Sequence, residues 1–135
     1  ESEKMVSEGA GAASVAAVMF NKVPVKGKKT VCIVSGGNID VTVLSRIINR
    51  GLAKSGRLCT LDMELDDQPG RLVSVCSVIA QLGANITGVH HDRSANRQKV
   101  NSCILRVSME TKNEEQIDQI IKALGSKELN VRRIL

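Results

Sequence analysis

Aromatic side chains are all but missing: Phe20 stands alone among 135 residues, with no Trp and no Tyr. That excludes the single-stranded nucleic-acid modules, which stack bases on aromatic platforms. It also argues against a protein interface anchored on Trp or Tyr. No apolar run approaches the roughly 20 residues needed to span a bilayer. No basic-then-apolar leader opens the sequence, so a soluble cytoplasmic protein with no membrane partner is expected. The four cysteines, Cys32, Cys59, Cys76 and Cys103, are spaced 27, 17 and 27 apart, with no CxxC pair. Each lies in an apolar periodic segment, where a free thiol behaves as a small hydrophobe, so neither a metal site nor a disulfide is expected.

What the chain has is a globular balance of 42% hydrophobic and 24% charged residues, with a net charge of +5. The charge is uneven. Residues 1–57 carry nine Lys/Arg against four Asp/Glu, whereas residues 58–135 carry ten of each. The break near Arg57 marks a domain boundary, giving domains 1–57 and 58–135. The basic residues are scattered apart from Lys26, Lys28 and Lys29, a footprint without a reading motif, so no nucleic-acid partner is expected.

From Arg57 onward the periodicity is clear. Cys59, Leu61, Met63 and Leu65 alternate with Thr60, Asp62, Glu64 and Asp66, the period of a half-buried strand. A polar turn with Pro69 and Gly70 leads into Leu72, Val75, Cys76, Ile79 and Leu82 at helical spacing. Gly83 supplies a left-handed helix end. Residues 84–94 read as a second strand, residues 95–98 as a polar turn, and Cys103, Leu105, Val107 and Met109 as one face of a third strand. Asn113 caps a helix carrying Ile117, Ile120, Ile121 and Leu124, closed near Gly125, and residues 129–135 form a last strand. The order βαββαβ predicts an α+β, ferredoxin-like fold: a four-stranded antiparallel sheet with both helices on one face. His90 and His91 fall near a strand end, where solvent exposure is the expectation.

A strand ending in Asp66 and Asp67, then Gln68-Pro69-Gly70-Arg71-Leu72, then Gly83-Ala84-Asn85-Ile86, resembles an ACT domain. ACT domains are small amino-acid-binding regulatory modules, and the likeness covers residues 58–135. The chemistry is sensible in itself. Gly70 lets backbone approach a ligand, and the amides opening the next helix suit a carboxylate. Asp67 can pair with an ammonium, and Asn85 can hydrogen-bond either end of an amino acid. The resemblance thus implies an effector site of Asp67, Gly70, Arg71 and Asn85, with the Asn supplied by a partner subunit of a homo-oligomer joined through sheet edges. Leu65 stands where some members place a polar ligand-contacting side chain. The same residues also suit a β–α turn in a domain that only assembles.

Residues 1–57 lack the pattern of a self-sufficient domain. A small-residue helix around Val15–Met19 and a connector at Val23-Pro24-Val25 lead into residues 30–34, a continuous apolar run that reads as a buried parallel strand. Asp40 then caps a helix using Val43, Leu44, Ile47, Ile48 and Leu52. One helix–strand–helix unit cannot cover both faces of a strand, so this segment reads as a remnant of an α/β domain.

Glu8-Gly9-Ala10-Gly11-Ala12-Ala13, followed by that strand and Ser35-Gly36-Gly37-Asn38-Ile39-Asp40, resembles the end of the catalytic domain of the fold-type II, pyridoxal phosphate-dependent threonine dehydratases. With an ACT-like segment directly behind, the whole chain is similar to the C-terminal portion of a single-ACT member. The resemblance implies cofactor-binding roles for Ser35, which faces the pyridine nitrogen in the family, for Gly36 and Gly37, and for Glu8. A neutral hydroxyl at that nitrogen moderates the electron sink and suits β-elimination. The implied activity of the parent is conversion of L-threonine to 2-oxobutanoate and ammonia, with isoleucine or valine as effector. The family's cofactor-binding lysine belongs to a motif that Lys4, Lys22 and the other lysines do not match. This stretch by itself is therefore expected to be inactive.

Overall fold

The structure is a computed structural model that describes residues 5–93, 102–127 and 129–135. It separates into two compact units, residues 1–47 and 48–135. Lys4, Ser94 and the polar turn expected over residues 95–98 lie outside the described residues.

In the first unit, helix α1 (Ala13–Met19) is short and buries no side chain. The strand expected over residues 30–34 does not form. That segment is irregular chain, with Val31 90% and Ile33 79% exposed. A strand is stable only beside a partner that takes up its amides and carbonyls, and no described residue of this unit lies in a strand. Helix α2 (Val41–Lys54) begins as the sequence predicts. The Asp40 carboxylate accepts from the amides of Thr42 at 2.7 Å and Val43 at 3.2 Å, and from the Thr42 hydroxyl. These hydrogen bonds hold the Asp40 carboxyl below the usual carboxylate range. The apolar side of α2 is only partly covered: Val43, Ile47 and Ile48 are exposed while Leu44 and Leu52 are half-buried, and from Ile48 onward the helix belongs to the second unit.

The second unit runs β1 (Leu58–Asp66), α3 (Arg71–Gln81), β2 (Asn85–Asp92), β3 (Ser102–Glu110), α4 (Glu114–Gly125) and β4 (Asn130–Arg133). The sheet order is β2-β3-β1-β4, antiparallel throughout. This is the ferredoxin-like arrangement expected. β1 and β3 pair in full register, Leu58 opposite Glu110 and Asp66 opposite Ser102. Alternation therefore sends Cys59, Leu61, Met63 and Leu65, with Cys103, Leu105, Val107 and Met109, to one buried face. Val75, Val78 and Ile79 of α3 and Ile117, Ile120 and Leu124 of α4 complete one core on that face. Each fully buried Leu, Ile or Met there contributes about 1.5–3 kcal/mol of transfer free energy.

Local signals account for the ends. Gly83 is left-handed at φ 76°, and the α3 terminus closes as the Gly83 amide donates to Ala80 O and the Ala84 amide to Ile79 O. Asn113 Oδ1 accepts from the Gln116 amide at 3.0 Å. The buried Gln116 side chain is satisfied twice, accepting from Lys112 N and donating to Leu82 O, both at 2.7 Å. One detail departs from the sequence pattern. The buried stripe of α3 is Val75, Val78 and Ile79, while Leu72 is 37% exposed and Cys76 only half-buried.

Candidate functional site

In the second unit, the junction where β1 gives way to α3 is concave. A cavity of about 410 Å³ lies on the helix-free face of the sheet, over Asp62, Arg106 and Arg132. A second, of about 380 Å³, lies at the β1–α3 junction and is lined by Asp67, Gly70, Arg71, His91 and Cys103 among others. The second holds three of the residues the sequence singled out.

Gly70 precedes the helix in the left-handed conformation, φ 86° and ψ −16°. A Cβ built there meets nothing within 4 Å, so glycine answers a backbone requirement and not a crowded one. The helix thus opens toward the cavity; the Arg71 amide donates to Gln68 O at 3.3 Å, which leaves the Leu72 and Val73 amides of the first turn to meet an anionic group. Asp67 sits beside it, 29% exposed, and is paired: Oδ2 lies 3.0 Å from Arg93 Nε and Oδ1 lies 3.8 Å from His91 Nε2. Arg71 reaches back to Asp66 at 3.6 Å, with both side chains well exposed. Leu65 is buried in the core beneath.

Asn85 is elsewhere. It opens β2 at the other end of the sheet, opposite Glu110, and its Nδ2 donates to Glu110 Oε2 at 3.1 Å. A strand the length of β1, about 26 Å at its usual rise, separates that end from the cavity. One chain alone does not bring Asn85 to Asp67, Gly70 and Arg71.

Two neighbours of Asp67 were not legible from the sequence. His91 is only 32% exposed and faces the carboxylate. Cys103 is buried, and its thiol contacts Leu65 O at 3.6 Å. Burial pushes the Cys103 thiol pKa up, and the Asp67 carboxylate acts in the same direction. Only the strand register reveals the grouping: Cys103 lies opposite Leu65 and His91 opposite Leu105, on the core side at the cavity end.

In the first unit, the two Gly-rich segments meet. The Glu8 amide donates to Gly36 O at 3.0 Å, the Ser35 amide to Gly11 O at 3.4 Å, and the Ser7 hydroxyl to Ser35 O at 2.9 Å. The approach demands glycine. A Cβ on Gly11 would fall 1.4 Å from Ser35 O, and one on Gly36, left-handed at φ 70°, would fall 2.6 Å from the Glu8 carboxylate. Glu8, Ser35 and Gly36 thus form one cluster, with Gly37 adjoining and Ser35 exposed. An exposed hydroxyl beside glycine backbone and a carboxylate fits the part of a pyridoxal phosphate site that these residues would supply.

No helix among the described residues is long and apolar enough to cross a membrane. L-threonine ammonia-lyase of Thermotoga maritima is similar at 44% identity over 98% of this chain and 33% of its own length. L-threonine ammonia-lyase of Geobacter sulfurreducens is similar at 40% identity over 92% of this chain and 31% of its own. The chain thus spans about a third of the length of these curated relatives. Among solved structures, the ACT domain of GTP pyrophosphokinase from Chlorobium tepidum matches with a TM-score of 0.47 and 15% identity, covering 57% of this chain and 96% of that one. Residues 55–129 match the profile of the ACT domain, and the chain belongs to that family.

Proposed function

We propose that this chain is the regulatory portion of an L-threonine ammonia-lyase, with residues 58–135 as its effector-binding domain and residues 1–57 as the adjoining part of its catalytic domain. The parent would convert L-threonine to 2-oxobutanoate and ammonia. The effector is a small apolar amino acid, isoleucine or valine. The observation that carries this reading is the cavity at the β1–α3 junction, where Asp67 stands beside a helix that opens on Gly70. An α-amino acid presents opposite charges a few ångströms apart. The Asp67 carboxylate would take the ammonium, replacing part of its pairing with Arg93, and the Leu72 and Val73 amides in the first turn of α3 would take the carboxylate. Arg71, at the first helical position, adds positive charge on the carboxylate side.

Asn85 enters this site from a second copy. β2 and β4 are the sheet's edges, and β2 is exposed along most of its length. An open edge is a template for pairing, which supports a homo-oligomer through the ACT sheets. Effector binding alters activity only if it favours one conformation or assembly over another.

In the first unit, Ser35, Gly36, Gly37 and Glu8 would hold one edge of pyridoxal phosphate in the parent. The bound cofactor supplies the electron sink for β-elimination. The Ser35 hydroxyl would meet the ring nitrogen, the glycines would let backbone pass close, and the Glu8 carboxylate would lie by the polar edge. Catalysis by this stretch alone is not part of the reading, because its lysines lie outside the family's motif.

Isothermal titration calorimetry of the chain with isoleucine, valine, threonine and serine tests the effector site, with light scattering to report assembly. Saturable heat with isoleucine or valine, lost in Asp67→Ala and in Asn85→Ala, is expected. Heat that survives both substitutions removes this site. Oligomerisation without heat from any of the four leaves an assembly domain instead.

A further inference from the structure

We propose that Asp67, His91 and Cys103 form a binding site for a borderline-soft divalent cation of the Zn²⁺ class at the mouth of the β1–α3 cavity. The inference does not depend on amino-acid binding. A carboxylate oxygen, a ring nitrogen and Cys103 Sγ lie within 4.8 Å of one another, and all three residues line the same cavity.

The donor set selects the metal. A thiolate, an imidazole and a carboxylate suit Zn²⁺ and its first-row neighbours, whereas Mg²⁺ and Ca²⁺ require oxygen donors. Bond lengths of about 2.0–2.3 Å place tetrahedral ligand atoms about 3.4–3.6 Å apart. His91 Nε2 and Asp67 Oδ1 stand at 3.8 Å, and no pair of the three atoms exceeds 4.8 Å, so the trio needs to close by about 1.2–1.4 Å at most. His91 and Asp67 are partly exposed side chains able to make that adjustment. Cys103 is the fixed point, set by β3 against β1.

The surroundings fit the role. Arg93 Nε contacts Asp67 Oδ2, leaving Oδ1 on the His91 side, so that Arg93 becomes the outer partner that orients a ligating carboxylate. Binding displaces the thiol proton, which now contacts Leu65 O, into solvent and leaves a Cys103 thiolate on the metal. Three protein ligands leave the fourth tetrahedral position facing the cavity, open to water or to a small ligand. The spacing of the cysteines hides this site, because two of its ligands are not cysteine and are joined to the third only by sheet register.

The test is titration of the reduced, metal-stripped chain with Co²⁺ and then Zn²⁺. One Co²⁺ per chain is expected, with a thiolate-to-cobalt charge-transfer band and the visible bands of four-coordination, both bleached by one equivalent of Zn²⁺. His91→Gln and Cys103→Ser should each weaken binding by about 10–100-fold or more, while Cys32→Ser and Cys76→Ser leave it unchanged. The His91 variant keeps the test decisive should the core Cys103 variant fail to fold. Absence of stoichiometric binding overturns the proposal, as does binding that His91→Gln does not weaken or that Cys32→Ser or Cys76→Ser removes.

Discussion

Single backbone positions decide how the two helix junctions of the ACT domain are made. Gly70 and Gly56 are both left-handed, at φ 86° and 66°, but for different company. At Gly70 a methyl group would point into open space, so Gly70→Ala should cost only the conformational penalty, about 1–2 kcal/mol. At Gly56 the same methyl would stand 2.4 Å from the Glu114 amide, at the start of α4, so Gly56→Ala should cost more than Gly70→Ala. Urea melts of the two variants side by side provide the comparison. Equal losses would mean that the α4 start yields freely. Asp62 supplies a second prediction. Arg106 binds its carboxylate through Nε at 2.6 Å and Nη2 at 2.7 Å, and this hydrogen bonding holds the Asp62 carboxyl below its usual range. A depressed carboxylate stabilises the fold fully above its unfolded pKa of about 3.9, and that contribution fades as pH falls through the folded value. Asp62→Asn should therefore lose stability at pH 7 and show a shallower acid decline than the parent chain. An unchanged acid slope would show that the Asp62–Arg106 pair contributes nothing in solution.

At the scale of elements, α3 shows where sequence pattern stops being sufficient. Leu72, Val73, Val75, Cys76, Val78 and Ile79 are apolar nearly all round the helix, so spacing alone admits more than one buried stripe. Packing against the sheet selects Val75, Val78 and Ile79. Ile79→Ala should thus cost about 2–5 kcal/mol, while Leu72→Ala should stay within about 1 kcal/mol. The reverse order would place the Leu72 stripe inward. The strands β1 and β3 leave far less choice, because a polar residue stands between every inward apolar pair except Cys103 and Leu105, where Ile104 intervenes, and the period of two fixes the face. The same contrast governs the site. Asp67, Gly70 and Arg71 are adjacent in the chain, so one local turn motif exposes them together. Asn85 belongs to the far end of the sheet, and His91 and Cys103 join Asp67 only through pairing that no linear spacing records. Residues 30–34 failed as a strand for the complementary reason: their composition is right, but a strand is defined by its neighbours.

At the scale of the whole molecule, the two units differ in how their apolar side chains are used. Residues 48–135 hold every buried hydrophobic side chain of the described core. In the first unit Val31, Ile33, Val41, Met19 and Phe20 are all at least two-thirds exposed or close to it. Side chains of this kind gather where a larger surface covers them, which accords with a segment completed by the rest of a catalytic domain. Hydrogen exchange makes the difference measurable. The amides of β1 and β3 lie in a paired ladder over a closed core and should open only with global unfolding. The amides of residues 31–34 make no backbone hydrogen bond among the described residues and should exchange at close to free-peptide rates. The same amides should become protected when the chain is part of the proposed full-length ammonia-lyase, where a neighbouring strand can receive them. Strong protection of residues 31–34 in this chain alone would mean that they pair in solution, within one molecule or between copies. That outcome would detach the first unit from the catalytic-domain reading while leaving the ACT domain as it is.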